Sequence, residues 1–137
     1  MNQAYLHPTQ DAGRALIERN LRGPVVMLYL LRFRAVADYS ASPELAPDAA
    51  ISGAEAYGLY AQHALPLVEA AGGEVLFNGQ GGPTLIGPSD EHWDQVLLVR
   101  HLSVAAFLAF ARDPAYLKGV GHRTAALADS RLLPMTA

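Results

Sequence analysis

VVMLYLLRFR, residues Val25 to Arg34, has the length of a β-strand and no polar group other than a phenol before Arg32. Side chains alternate across a strand, so Val25, Met27, Tyr29, Leu31 and Phe33 share one face and Val26, Leu28 and Leu30 the other. Both faces are apolar. A surface strand of an open sheet would carry polar residues on one side, so this strand is expected to be covered on both. A single helix layer covers only one side, and the other needs a separate cover.

Working outward, three more segments read as strands: Glu74 to Gly79 (EVLFNG), Asp94 to Leu102 (DQVLLVRHL) and Ser130 to Thr136 (SRLLPMT). Pro134 suits the last of these to a sheet edge, because proline has no N–H to give to a ladder. Gln80-Gly81-Gly82-Pro83 is expected to be a turn, and Thr84-Leu85-Ile86 a short strand before Gly87-Pro88. Between the first two strands, Ser52-Gly53-Ala54-Glu55 is a capping box. It predicts a helix running to about Ala71 and stopping at Gly72-Gly73. Tyr57, Tyr60, Ala61, Ala64, Leu65 and Val68 make its apolar face, and Pro66 is expected to kink it. Ser103 caps a helix through Arg112. Asp113-Pro114 starts another, carrying Tyr116, Leu117, Val120, Ala125 and Ala126.

Residues 1–24 predict an N-terminal helical extension, capped by Thr9 and ended by Gly23-Pro24, with the main domain over residues 25–137. The Pro- and Ala-rich connection over residues 35–51 is long for a compact domain and suits a lid or a dimer arm. The order is helix, then β-α-β-β-α-β. That arrangement predicts the α+β class with ferredoxin-like topology, an antiparallel sheet with helices on one face, and a bare face buried by a second copy as a dimeric α/β barrel.

The 137 residues are 51% hydrophobic and 17% charged, which argues for a folded core and surplus apolar surface for an interface. A net charge of −3 gives no basic footprint for nucleic acid. No apolar run reaches the roughly 18 residues that span a bilayer. With Met1-Asn2-Gln3 leading into no hydrophobic signal core, a cytoplasmic location is expected. The absence of cysteine excludes disulfides, thiolate metal sites and cysteine nucleophiles. His7, His63, His92, His101 and His122 form no HxxxH or HxH pair, so neither a metal nor another cofactor is expected.

From Pro24 to Thr136 the chain resembles the family known as domain of unknown function 1330. The resemblance rests on VVMLYLLRFR, AYGLYAQHALPLVEAAGG, EVLFNG, HWDQVLLVRHLSVAAF, the DPAY helix start and HRTAALADSRLL, in that order. Members often carry Asn where Tyr29 stands, and commonly Pro before the serine at Ser103, where this chain has Leu102. The resemblance implies a ferredoxin-like homodimer and no established reaction. The wider fold superfamily includes cofactor-free monooxygenases, muconolactone isomerases and haem-dependent enzymes, a likeness of fold rather than of site.

Several residues are candidates for chemistry. His122-Arg123 offers an acid/base and an oxyanion partner; the same pair can simply cap a helix C-terminus. Arg100 and His101 point to opposite sheet faces, so only one of them can line a given pocket, and Arg100 can instead reach solvent and pair with a carboxylate. Asn78 can orient a substrate oxygen or satisfy the following turn. Trp93, in Glu91-His92-Trp93-Asp94, can wall a pocket or anchor a dimer. Tyr57 and Tyr60, with His63 three further on, can place polar tips along one cavity or form an ordinary amphipathic face. Tyr29 joins these as a binding candidate on the first strand. No GxSxG, HExxH, GxGxxG or phosphate-loop pattern stands in a fitting context. Two functions remain. One is an enzyme using its own side chains for proton transfer, isomerisation or oxygenation of a small oxygen-bearing molecule. The other is a non-catalytic dimer that binds a small molecule or a protein.

Overall fold

The computed structural model describes residues 3–137. The core is a four-stranded antiparallel sheet of β1 (Val25–Phe33), β2 (Glu74–Pro83), β3 (His92–His101) and β4 (Leu127–Met135), in the order β2-β3-β1-β4. Helices α2 (Gly53–Ala70), α3 (Val104–Arg112), α4 (Pro114–Leu117) and α5 (Val120–Ala126) supply the two crossovers, and α1 (Gln10–Glu18) precedes the sheet. This is the ferredoxin-like βαββαβ topology, with β1 and β3 central and β4 at an edge, as Pro134 predicts.

Alternation along β1 separates two environments. Val25, Met27 and Leu31 are fully buried on the helix side. Val26, Leu28 and Leu30, on the other side, are only half-buried. The register places Leu28 opposite Leu98 of β3 and Leu133 of β4, and Leu30 opposite Val96. Phe77 of β2 sits opposite Leu98. The second side of the sheet is thus a continuous apolar surface, and no segment of the described chain seals it. Phe77 and Leu133 remain 51% and 54% exposed on it.

The capping signals act as read. Ser52 and Glu55 form a reciprocal capping box at the start of α2, and Ser103 and Asp113 accept from backbone N–H groups at the starts of α3 and α4. Gly53 is required there, because a Cβ would collide with backbone atoms of Arg34 and Ala126. Pro66 lies inside α2, which continues to Ala70.

Four expectations are corrected. Gln80 to Pro83 is not a turn but the end of β2, paired through Gly82–Trp93 and Pro83–His92. Gly81 permits this: its Cα approaches the Trp93 carbonyl so closely that no Cβ would fit. Thr84-Leu85-Ile86 is accordingly a loop, with Leu85 fully exposed. The helix expected from Asp113 to Ala126 is broken into α4 and α5. At the break His63 Nε2 donates to the Ala115 carbonyl at 2.6 Å, and the His63 ring fills the space that a Cβ on Gly119 would need. The Gly119 N–H donates to the Tyr116 carbonyl. Finally, β4 starts at Leu127, three residues before the expected strand.

Candidate functional site

α5 carries His122 and Arg123 in succession, and they serve different surroundings. Adjacent helical residues project about 100° apart. Arg123 turns inward and is 9% exposed. Its Nη1 donates to the Leu6 carbonyl at 2.7 Å, and Nη2 reaches Ser130 Oγ at 3.5 Å. Among the described residues no carboxylate pairs with it. The neighbouring Asp129 is already engaged by the Tyr5 and Ser130 N–H groups and by Arg131. A guanidinium stays charged at any physiological pH, so a buried one without a counter-ion is costly unless something negative visits it.

The interior around Arg123 is aromatic. Tyr57 and Tyr60 of α2 have ring centroids 5.2 Å apart; Phe33 lies 5.5 Å from Tyr57, and Tyr116 of α4 6.1 Å from Tyr60. Tyr60 and Tyr116 share a hydrogen bond of 2.8 Å between hydroxyls. Tyr29 packs against the same core from β1. Burial pushes the Tyr57 phenol up to about 12, with the positive field of Arg123 pulling the other way. Burial likewise raises Tyr29 and Tyr60, and Arg123 again opposes the rise at Tyr29. All three phenols therefore stay protonated at neutral pH, and those of Tyr29 and Tyr57 can donate hydrogen bonds to an anionic oxygen.

His122 faces the long connection. Its Nδ1 is 2.7 Å from the Tyr39 hydroxyl, and burial together with nearby His63 lowers its pKa below the ordinary histidine value. The connection is pinned here: Asp38 N–H donates to Ala125 O at 2.9 Å and Arg34 N–H to Ala126 O at 2.8 Å. Gly121 lets Ser42 and Leu45 approach α5 directly.

The fold thus gathers Tyr29, Tyr57, Tyr60 and Arg123 in one region, with His122 on the adjoining helix face. The other candidates lie elsewhere. Asn78 is exposed in mid-β2 and accepts from Gln95 Nε2 at 2.7 Å. Arg100 pairs with Glu74 at the exposed sheet surface. His101 is 1% exposed, wedged between Phe107 and Phe110, with Nδ1 unpartnered among the described residues. Trp93 is buried under the guanidiniums of Arg32 and Arg131, 5.0 and 5.2 Å from its ring centre, and donates to Glu91 at 3.2 Å. His92 and Asp94 stand 3.8 Å apart, while Asp94 also accepts the Phe33 N–H. Among the described residues no three His, Asp or Glu side chains converge as metal ligands.

Sequence reasoning missed Tyr39, Tyr116 and Leu6 as parts of these surroundings. Tyr116 was visible as an apolar-face residue. Nothing local marks Tyr39 or Leu6, which reach their partners across 83 and 117 residues of chain.

The fold and this interior define a ferredoxin-like α+β domain with an aromatic, singly cationic centre. Residues 45–134 match the family model described as Domain of unknown function (DUF1330), and the chain belongs to that family. It is similar to the RPA0582 protein of unknown function from Rhodopseudomonas palustris, at 40% identity and a TM-score of 0.85, covering 98% of each chain. The methylated RPA0582 structure matches at the same identity and TM-score, over 98% of this chain and 95% of that one. No curated protein matches.

Proposed function

We propose that this protein is a homodimer that binds a small, partly apolar, oxygen-bearing organic molecule between sheet and helices and moves a proton on it with its own side chains. Arg123 receives the negative or enolic oxygen, the phenols of Tyr29 and Tyr57 supply hydrogen-bond donors and apolar walls, and His122 is the acid/base. The observation that carries the reading is the buried Arg123 without a carboxylate partner. A lone buried cation in an aromatic interior is electrostatically complementary to one developing negative charge, and low local dielectric strengthens that interaction. The half-exposed apolar sheet face through Leu28, Leu30, Val96 and Leu98 supports the second copy.

The test is hydrogen–deuterium exchange at the α-carbon of a panel of small enolisable keto acids and lactones, followed by NMR in D2O. Exchange above the buffer rate that falls at least about 100-fold in both His122→Ala and Arg123→Met supports the reading. Exchange that survives both substitutions ends it.

A non-catalytic binding function is the second reading. Its support is that Tyr39 already holds His122 on a helix face about 100° from Arg123. Binding that needs Arg123, with no exchange of any panel member, would select it.

A further inference from the structure

Arg123 is met in this structure by the chain's own Leu6, and the manner of that contact describes a ligand. The Leu6 carbonyl oxygen accepts from Arg123 Nη1 at 2.7 Å. The Leu6 side chain, partly buried, packs against the core cluster that contains Tyr57, Phe110 and Leu127. One residue thus presents an oxygen to the guanidinium and a branched aliphatic group to the core. A carbonyl oxygen carries only a partial negative charge, so it answers a buried cation less well than a carboxylate would.

The segment that delivers Leu6 is lightly held. The Tyr5 N–H donates to Asp129 Oδ1 at 2.9 Å, Ser130 Oγ donates to the Tyr5 carbonyl, and the Arg131 guanidinium lies 4.8 Å from the Tyr5 ring centre. Tyr5 itself is 51% exposed. Beyond it, α1 contains no buried residue, and Arg19 Nη1 reaches the Pro134 carbonyl at 3.2 Å. A stretch secured by a few polar contacts and one partly buried side chain opens at low free energy compared with the sheet beneath it. One cleft lies between α1 and α3, and a second, around Trp93, is lined by Tyr5, Asp129 and Arg131 and so borders the segment. Leu6 itself stands on Arg123, where the oxygen of a ligand would stand.

We propose that the segment around Tyr5 and Leu6 is a self-occupying strap, and that the ligand is a small monocarboxylate with a branched or planar apolar body that displaces it. The ligand's carboxylate takes the place of the Leu6 carbonyl on Arg123, and its apolar body takes the place of the Leu6 side chain. The other cation at the segment, Arg131, is already paired with Asp129 at 2.8 Å, so Arg123 is the one unanswered charge, which favours a monoanion over a phosphate ester. The strap lowers apparent affinity by the fraction of molecules in which it is closed. This proposal rests on the reading of Arg123 as the anion partner.

The experiment uses the full chain and 4-methylpentanoate, the leucine carbon skeleton without its amine, with inorganic phosphate as the comparison probe. Calorimetry measures affinity, and amide hydrogen exchange follows the peptide containing residues 3–8. The wild type is expected to bind 4-methylpentanoate and not phosphate, and exchange in residues 3–8 is expected to accelerate at saturation. Tyr5→Pro, which removes the N–H given to Asp129, and Leu6→Gly, which empties the apolar position, are each expected to tighten binding about tenfold. Arg123→Met is expected to abolish it. Binding that needs Arg123 but leaves residues 3–8 protected, with Tyr5→Pro and Leu6→Gly unchanged in affinity, overturns the strap and leaves the anion site standing. Absence of Arg123-dependent binding in the wild type and in both loosened variants overturns the two together. Tighter binding of phosphate than of 4-methylpentanoate overturns the assignment of ligand class.

Discussion

The Tyr39 hydroxyl lies 2.7 Å from His122 Nδ1, and the two rings meet edge-on. A phenol that donates here stabilises the neutral imidazole with its own proton on Nε2, adding to the effect of burial and of His63 in lowering the His122 pKa. Tyr39→Phe should therefore let the His122 pKa rise toward the ordinary value, at a stability cost of about 1 kcal/mol for the lost hydrogen bond. NMR titration of the imidazole in both proteins measures it. A pKa that falls on substitution would mean that the phenol accepts from Nδ1 rather than donating to it.

Acid should weaken the fold in two stages. Burial lowers the pKa of His101, and burial with His63 lowers that of His122, so the unfolded chain binds more protons than the folded one as pH falls below the ordinary histidine value of 6.5. Stability must then decline across that window and hold level above it. Asp129 follows lower down: backbone N–H groups of Tyr5 and Ser130 and the Arg131 guanidinium hold its pKa below 3.8 against the opposing effect of burial. Its contribution is complete above the unfolded carboxylate value and is lost as pH falls through the folded one. Urea unfolding at pH 7.5, 5.5 and 2.5 checks both stages. His101→Leu, which also removes the unpartnered Nδ1, should reduce the first stage to the part that His122 contributes and leave the second intact.

Arg123→Met should separate function from stability. Removing a buried, carboxylate-free charge relieves its desolvation, while the charge-assisted hydrogen bond to Leu6 is worth about 2 kcal/mol. The melting temperature should stay within a few degrees of the wild type or rise, although the anion position is gone. A loss of about 3 kcal/mol or more, measured by urea denaturation, would instead make Arg123 a structural residue.

Where these contacts were legible in sequence, the signal was local. The two apolar faces of Val25–Leu31, the Ser52–Glu55 pair and the Ser103 and Asp113 caps each depend on residues within a few positions, and each formed as read. Tyr57 and Tyr60 were visible as neighbours on one helix face, and Tyr29 by strand alternation. The misreadings were non-local. Gln80–Pro83 carries the composition of a turn, yet Gly81 is there so that β2 can approach the Trp93 backbone. The break between α4 and α5 falls where His63, more than 50 residues away in the chain, packs against Ala115 and Gly119. The occupant of Arg123 comes from the far end of the chain, where nothing in the spelling of Leu6 announces a partner.

Gly53 should prove nearly irreplaceable. Its N–H donates to the Arg34 carbonyl at 3.0 Å, and the space a Cβ would need is filled by backbone of Arg34 and Ala126, neither of which can rotate aside. Gly53→Ala should cost about 3 kcal/mol or more, whereas Ser52→Ala next to it should cost about 1 kcal/mol for the lost cap. Thermal unfolding of the two variants side by side gives the comparison, and equal losses would contradict the close approach.

The sheet face opposite the helices gives the last prediction. Leu28 and Leu98 face each other across β1 and β3, and Leu133 continues the row on β4. All three are half-buried or exposed in the single chain. If a second copy covers this surface, a charge placed at its centre has to be desolvated in the dimer but can reach water in the monomer. Leu98→Lys should then shift the protein from twice the chain mass to the chain mass in sedimentation velocity. Leu85→Lys, on a fully exposed loop residue, serves as the control and should leave the dimer intact. Folding of Leu98→Lys is verified by circular dichroism before its mass is read. A wild type that sediments as a monomer at all concentrations would refute the homodimer and leave the apolar face to another partner. A folded Leu98→Lys that remains dimeric would move the interface to a different surface, of which the edge strand β2, exposed along most of its length, is the next to test.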